Sequence, residues 1–292
     1  MVLDMLEVKG VDKYFGDFQV LDDISFNLSN GVAAVLIGRN GAGKSTLIRC
    51  IAGLLRYEGS ITIDGFEVMD HPIEVKKRIG YLPQTTPVRG DLTGYQFFKL
   101  YLDLYGLDVD VEEWFERFGL IDVIDVSIDE YSGGMRQRLF LAMTIAHNPR
   151  LILLDEPMNN LDSLGKSMLI DIIHNYKKLE KSFLISGHRL SDFITYADEI
   201  ILIDDGKLIY KGSIEELFKI LGIARIYIYS TDLMSAKDID GLDIKIIDSN
   251  RAIVESDNVY EVVVELVEMG ITNFFIEEPS IDTIIKRLGG NE

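Results

Sequence analysis

The chain carries one cysteine, Cys50, among 292 residues. It cannot close an internal disulfide, so no disulfide framework holds the fold, and a single thiol fits a reducing compartment. Basic residues are also scarce. Against 48 Asp and Glu stand 29 Lys and Arg, and the formal net charge is −19. A surface that negative repels phosphate backbones, which counts against nucleic acid as a partner. No uninterrupted apolar run approaches the ~18–20 residues that cross a bilayer. The opening segment has Asp4 and Glu7 where a secretion signal would be basic and then apolar. The expectation is a chain with no direct membrane insertion. Internal repeats, low-complexity tracts and extended heptads are missing as well. What remains is 47% hydrophobic and 26% charged, the balance of a folded chain rather than a disordered one. The length suits one large domain or two smaller ones.

The early part alternates: Met5–Lys9 and Ile24–Leu28 place apolar residues at every second position, which predicts strands. Residues 32–37 differ, being continuously apolar between Gly31 and Gly38, as in a strand buried on both faces. The runs 151–154, 183–186 and 199–203 read the same way, with helical stretches such as 44–55 and 163–179 between them. All-apolar strands alternating with helices predict a parallel sheet covered by helices, an α/β fold. Residues 94–120 read as helical and are rich in aromatics: Tyr95, Phe97, Phe98, Tyr101, Tyr105, Trp114, Phe115 and Phe118. They interrupt the α/β pattern as an inserted helical subdomain, set at about 85–150. The ordinary role of such aromatics is core packing; a groove for a partner is the alternative. From about residue 220 the pattern changes to short strands at 225–230, 244–247, 251–255 and 272–276, with helices at 257–269 and 279–288. That divides the chain into 1–219 and a small α+β domain at 220–292. The tail holds 14 acidic and 6 basic residues, a net of −8, so the acidity is spread along the chain rather than gathered in an acidic tail.

Three segments carry chemistry. Gly38-Arg39-Asn40-Gly41-Ala42-Gly43-Lys44-Ser45 matches G-x-x-x-x-G-K-[ST] at every fixed position, after a buried strand and before a helix. Its N–H groups can cradle phosphate oxygens at the positive end of the helix. Lys44 adds a mobile charge for the terminal phosphates, and the hydroxyl of Ser45, with Thr46 beside it, suits Mg²⁺. The second segment is Leu151-Ile152-Leu153-Leu154-Asp155-Glu156-Pro157. Asp155 leaves the carboxyl end of a buried strand, where ligands bind in open α/β sheets, and suits the metal; Glu156 can polarise an attacking water. The third, Tyr131-Ser132-Gly133-Gly134-Met135-Arg136-Gln137-Arg138, places a second anion-receptive helix start far from the first.

Together these segments resemble the ATP-binding-cassette (ABC) ATPases, over roughly residues 4–217. The resemblance implies a phosphate-loop fold with an antiparallel β subdomain and a helical subdomain, with ATP and Mg²⁺ as cofactors. It implies that Ser132, Gly133 and Gly134 form the signature motif, which contacts the γ-phosphate held by the other subunit. The commonest family form has Leu and Gln where this chain has Tyr131 and Met135, and that variant is similar to the drug-exporter-type subclass. Tyr81-Leu82-Pro83-Gln84 resembles the Q-loop, with Gln84 sensing metal and transport partner. Asn159-Asn160-Leu161-Asp162 resembles the D-loop, which crosses the dimer interface. His188 matches the switch histidine. Phe15, or its neighbour Tyr14, stands where the family stacks an aromatic on adenine. Cys50 is expected to be a buried, inert thiol, and His71, His147 and His174 structural.

The function so implied is an ATP-hydrolysing subunit that pairs head to tail with itself on binding ATP and energises a separate transmembrane permease, an exporter. Lys44, Glu156 and His188 act on the transferring phosphoryl group. The place would be the cytoplasm, peripheral on the inner face of the cell membrane. A soluble, non-transport ABC ATPase is the alternative. The clustered Arg39, Lys44, Arg136 and Arg138 are expected where phosphates bind. For the tail, the readings are dimerisation or regulation.

Overall fold

The computed structural model describes residues 4–85, 90–159, 161–221, 224–229, 244–248, 251–256, 259–269, 271, 273–277 and 281–288. The first layer is an antiparallel sheet. Strands β1 (Leu6–Phe15) and β2 (Phe18–Leu28) form a hairpin, and β4 (Glu58–Ile63) and β5 (Phe66–Glu67) extend it in the order β2-β1-β4-β5. Alternation decides its sidedness at first, with Leu6 and Val8 buried on one face and Lys9 exposed on the other, and the register shift between Val8 and Val11 returns Val11 to the core.

The second sheet has six strands in the order β10-β9-β3-β8-β7-β6: β3 (Ala33–Ile37), β6 (Ile79–Leu82), β7 (Leu151–Leu154), β8 (Ser182–Gly187), β9 (Glu199–Asp204) and β10 (Lys207–Ser213). Five run parallel and β10 closes the edge antiparallel. Every residue of β3, β7 and β8 is buried, as their unbroken apolar runs predict. Helices α1 (Lys44–Ile51), α2 (Pro72–Arg78), α5 (Gly133–Ala146) and α6 (Ser163–Lys177) accompany this sheet.

The stretch 94–120 that reads as helical holds two helices, α3 (Gly94–Tyr105) and α4 (Val111–Arg117). A capping box between Thr93 and Gln96 starts α3, and Gly106 at φ 65° stops it. Phe98, Phe115 and Phe118 are core residues here, whereas Tyr101 and Tyr105 line a separate cavity of about 480 Å³ with Tyr81, Pro83, Phe140 and His147.

The third sheet, β12-β13-β11-β14, is antiparallel throughout: β11 (Ala224–Tyr229), β12 (Ile244–Asp248), β13 (Arg251–Ser256) and β14 (Phe274–Glu277), with α8 (Val259–Glu268) and α9 (Ile281–Leu288). Positions 230, 257, 258, 272, 279 and 280 of the expected tail elements lie outside the described residues. Helix α7 (Ile214–Leu221) runs across the 219/220 division and packs on β9 and β10 as well as on α8 and α9. One apolar cluster continues through it, from Leu202 and Leu217 to Ile226, Val254 and Leu266.

Registers fix where the site must be. Ile37 stands opposite Gly187, and Leu82 opposite Leu154. Parallel strands therefore end together, and Gly38, Pro83, Asp155 and His188 all emerge at one edge of the sheet.

Candidate functional site

The loop 38–45 closes between β3 and α1. Its glycines are required for two different reasons. A Cβ on Gly38 would lie 2.2 Å from the carbonyl oxygen of Ile203, so the backbone passes too near β9 for any side chain. Gly43 has φ 100° and precedes the first helical residue, where a Cβ would also meet Leu21 at 2.8 Å. Lys44 is 5% exposed, and its Nζ donates to the carbonyls of Gly38 at 2.8 Å and Arg39 at 2.9 Å. Burial holds its pKa below the ordinary lysine value, against the opposing pull of Glu156 and Asp155. The first turn of α1 itself carries no acidic residue.

Asp155 is fully buried. Its Oδ1 accepts from Ser45 Oγ at 2.9 Å and from Ser186 Oγ at 2.8 Å. Its Oδ2 is buried and takes no hydrogen bond among the described residues. A buried carboxylate oxygen without a donor, next to a serine hydroxyl, is an oxygen pair of the kind Mg²⁺ takes, so the residues fit that ion. Ser186 also accepts the Glu156 N–H at 2.8 Å, which pins the peptide where the chain turns at Glu156, φ 49°. The Glu156 carboxylate accepts through Oε2 from Gln84 Nε2 at 2.9 Å and from Asn159 Nδ2 at 2.7 Å. A cleft of about 370 Å³ results, lined by Val20, Asn40, Gly41, Gly43, Lys44, Ser45, Thr46, Gln84 and Glu156.

Other expected residues lie outside that lining. Ala42 is buried behind the loop, and Arg39 reaches Asp204 at 3.3 Å. His188 follows β8 at the same sheet edge and is exposed. Phe15 is 50% exposed at the hairpin tip. Lys13 lies over its ring at 4.7 Å and pairs across the hairpin with Leu21, the residue that approaches Gly43. Tyr14 beside it is also exposed, the register of the hairpin shifts between Lys13 and Tyr14, and neither aromatic lines the cleft. Ser132 caps α5, accepting from the Met135 N–H at 3.2 Å, and a Cβ on Gly133 would meet nothing within 4 Å. Ser132 and Gly133 are exposed and not among the cleft residues.

Arg138 corrects an expectation. It is 7% exposed, and its Nη1 donates to the carbonyls of Phe118 and Gly119, both at 2.9 Å. It ties α5 to the end of α4 and is not placed for phosphate. Arg136 Nε likewise donates to the Tyr131 carbonyl at 3.2 Å. Cys50 is buried, and burial pushes its thiol up to about 11. His147 bridges the Ile79 carbonyl at 2.8 Å and the Tyr101 hydroxyl at 2.9 Å, a structural arrangement. Sequence reasoning missed Ser186 and Val20. Neither carried a signal: Ser186 ends an apolar strand and Val20 sits in one.

A parallel sheet whose edge joins a Gly-rich loop, a buried lysine and a Ser–Asp pair defines a phosphate-loop nucleotide-binding protein. A family model described as ABC transporter matches residues 21–159. The ABC transporter ATP-binding protein NatA of Bacillus subtilis is 34% identical over 204 residues, 68% of this chain and 83% of that protein. The doxorubicin resistance ATP-binding protein DrrA of Mycobacterium tuberculosis is 33% identical over 243 residues, 80% of this chain and 72% of its own. A solved structure of an ATP-binding subunit of an ABC transporter covers 73% of this chain and 91% of its own at 29% identity, with a TM-score of 0.67. The chain belongs to the ATP-binding proteins of ABC transporters. It is an ATP-binding subunit and an ATPase, and no helix among the described residues is long and apolar enough to cross a membrane.

Proposed function

We propose that this ATPase works as an ATP-dependent head-to-tail homodimer that drives a separate transmembrane permease in export, from the cytoplasmic face of the membrane. The observation that carries the pairing is the position of the signature segment: Ser132 and Gly133 are exposed at the start of α5 and do not line the cleft. A second copy supplies them to the phosphate, and each site then joins Gly38–Ser45, Asp155 and Glu156 of one subunit to Ser132–Gly134 of the other. Relatives named for doxorubicin resistance and for lantibiotic transport support export. The division at 219/220 is kept as a proposal, with residues 220–292 aiding dimerisation or regulation.

In this reading Lys44 exchanges its bonds to the Gly38 and Arg39 carbonyls for oxygens of the terminal phosphates. Phe15 stacks on the adenine. Ser45, Asp155 and Gln84 would hold Mg²⁺, which would supply positive charge against the phosphates. Glu156 takes a proton from the attacking water as its oxygen bonds to the γ-phosphorus and the bond to ADP breaks. Lys44, His188 and the loop N–H groups stabilise the charge spread over the transferring group. The test is Glu156→Gln. The variant should bind ATP, lose about 10²–10⁴-fold in hydrolysis, and run as a dimer with ATP in size-exclusion chromatography. Hydrolysis at the wild-type rate would overturn the base assignment.

A further inference from the structure

The base Glu156 is gripped from two directions. Gln84 reaches it from the segment after β6, and Asn159 from the end of the short turn after β7. Both amides donate to the same oxygen, Oε2, and neither bond involves Oε1. Pro157 and Met158 of the short helical turn that ends at Asn159 are buried. The backbone N–H of Asn159 also donates to the Glu156 carbonyl at 3.3 Å. The Asn159 amide is thus delivered by a braced turn, while its own side chain stays exposed. A carboxylate with one oxygen held by two amides cannot rotate without breaking both bonds, so the second oxygen keeps one direction.

We propose that Asn159 is a positioning residue for hydrolysis. Acting with Gln84, it holds Oε2 of Glu156 and so sets Oε1 as the oxygen that receives the water's proton. The proposal rests on Glu156 being the base.

The experiment uses the full chain and measures kcat and KM for ATP in four variants: Asn159→Ala, Asn159→Asp, Glu156→Gln, and Glu156→Gln with Asn159→Ala. Asn159→Ala should lower kcat roughly 10- to 100-fold with KM held within about twofold, as for a misoriented catalytic group. Asn159→Asp keeps the shape of the side chain and removes its donor, so kcat should fall at least as far as in Asn159→Ala, where a packing role alone would leave it near wild type. In the Glu156→Gln background, Asn159→Ala should lower kcat no further. A wild-type kcat in Asn159→Ala or in Asn159→Asp, or an undiminished further loss in the double variant, would each overturn the proposal while leaving the base in place. A wild-type rate in Glu156→Gln alone would remove the base, and the proposal with it.

Discussion

Ser186 should be the most sensitive polar residue of the core. It is fully buried, donates to Asp155 Oδ1 at 2.8 Å and accepts the Glu156 N–H at 2.8 Å. Ser186→Ala removes a hydrogen bond to the buried Asp155 carboxylate, worth about 1.5–3 kcal/mol, and one to the part-buried Glu156 N–H, worth about 0.5–1.5 kcal/mol. The sum is about 2–4.5 kcal/mol, a large part of the ~5–15 kcal/mol that holds a typical fold. A methyl group leaves no compensating donor, and the small volume change leaves little cavity. A loss of about 3 kcal/mol lowers the midpoint by roughly 6–12 °C in a chain of this size class. The assay is thermal and urea unfolding followed by circular dichroism, with Ser186→Thr as the control that keeps the hydroxyl. Ser186→Ala within about 0.5 kcal/mol of wild type, the range of an ordinary surface change, would refute the account of Asp155 as a buried charge held by two hydroxyls.

Phe15→Ala should weaken binding of a fluorescent ATP analogue by about 5- to 160-fold, the equivalent of ~1–3 kcal/mol for one stacked base, while Tyr14→Ala stays within about twofold. Equal effects at both positions would sink the choice of Phe15 over Tyr14. Burial holds the pKa of His147 below the ordinary histidine value, partly opposed by its bond to the Ile79 carbonyl. The unfolded chain then binds more protons than the folded one as pH falls through about 6.5, so stability drops there and is regained above it. Urea midpoints at pH 7.5 and 5.5 should differ less in His147→Gln than in wild type; an identical difference would show that His147 does not contribute.

The parallel sheet was legible because strands buried on both faces must be continuously apolar, and 32–37, 151–154 and 199–203 are. The hidden elements have mixed patterns for local reasons. Strand β4 begins Glu58-Gly59, and a Cβ at Gly59 would lie 2.2 Å from the Gly10 carbonyl, so a glycine that reads as a breaker is a contact between strands. The edge strand β10, with Lys207, Lys211 and Gly212, never shows a buried run because none of its residues is buried. Tyr131 was visible as a departure from the common signature but its reason was not. Its hydroxyl donates to the Val123 carbonyl at 2.7 Å and fills the space over Gly94, where a Cβ would lie 2.0 Å away. That pairing joins positions far apart in sequence, and no period reveals it.

The site divides along the same line. Residues tied to phosphate by their own chemistry, such as Lys44 and Asp155, are readable because few other residue types can replace them at that spacing. Ser186 and Val20 matter only through register: Leu154 opposite Ile185 sets Asp155 beside Ser186, and a shift of one residue would turn the hydroxyl to the other face. The parallel arrangement then explains why the phosphate loop, Gln84, the acidic pair and His188 share one edge, since parallel strands end on the same side. Helix α5 opens with Ser132 and Gly133 exposed and outside the cleft lining. In the proposed head-to-tail dimer, the closing of two copies becomes part of the chemistry itself, because the signature segment reaches the phosphate only from the partner.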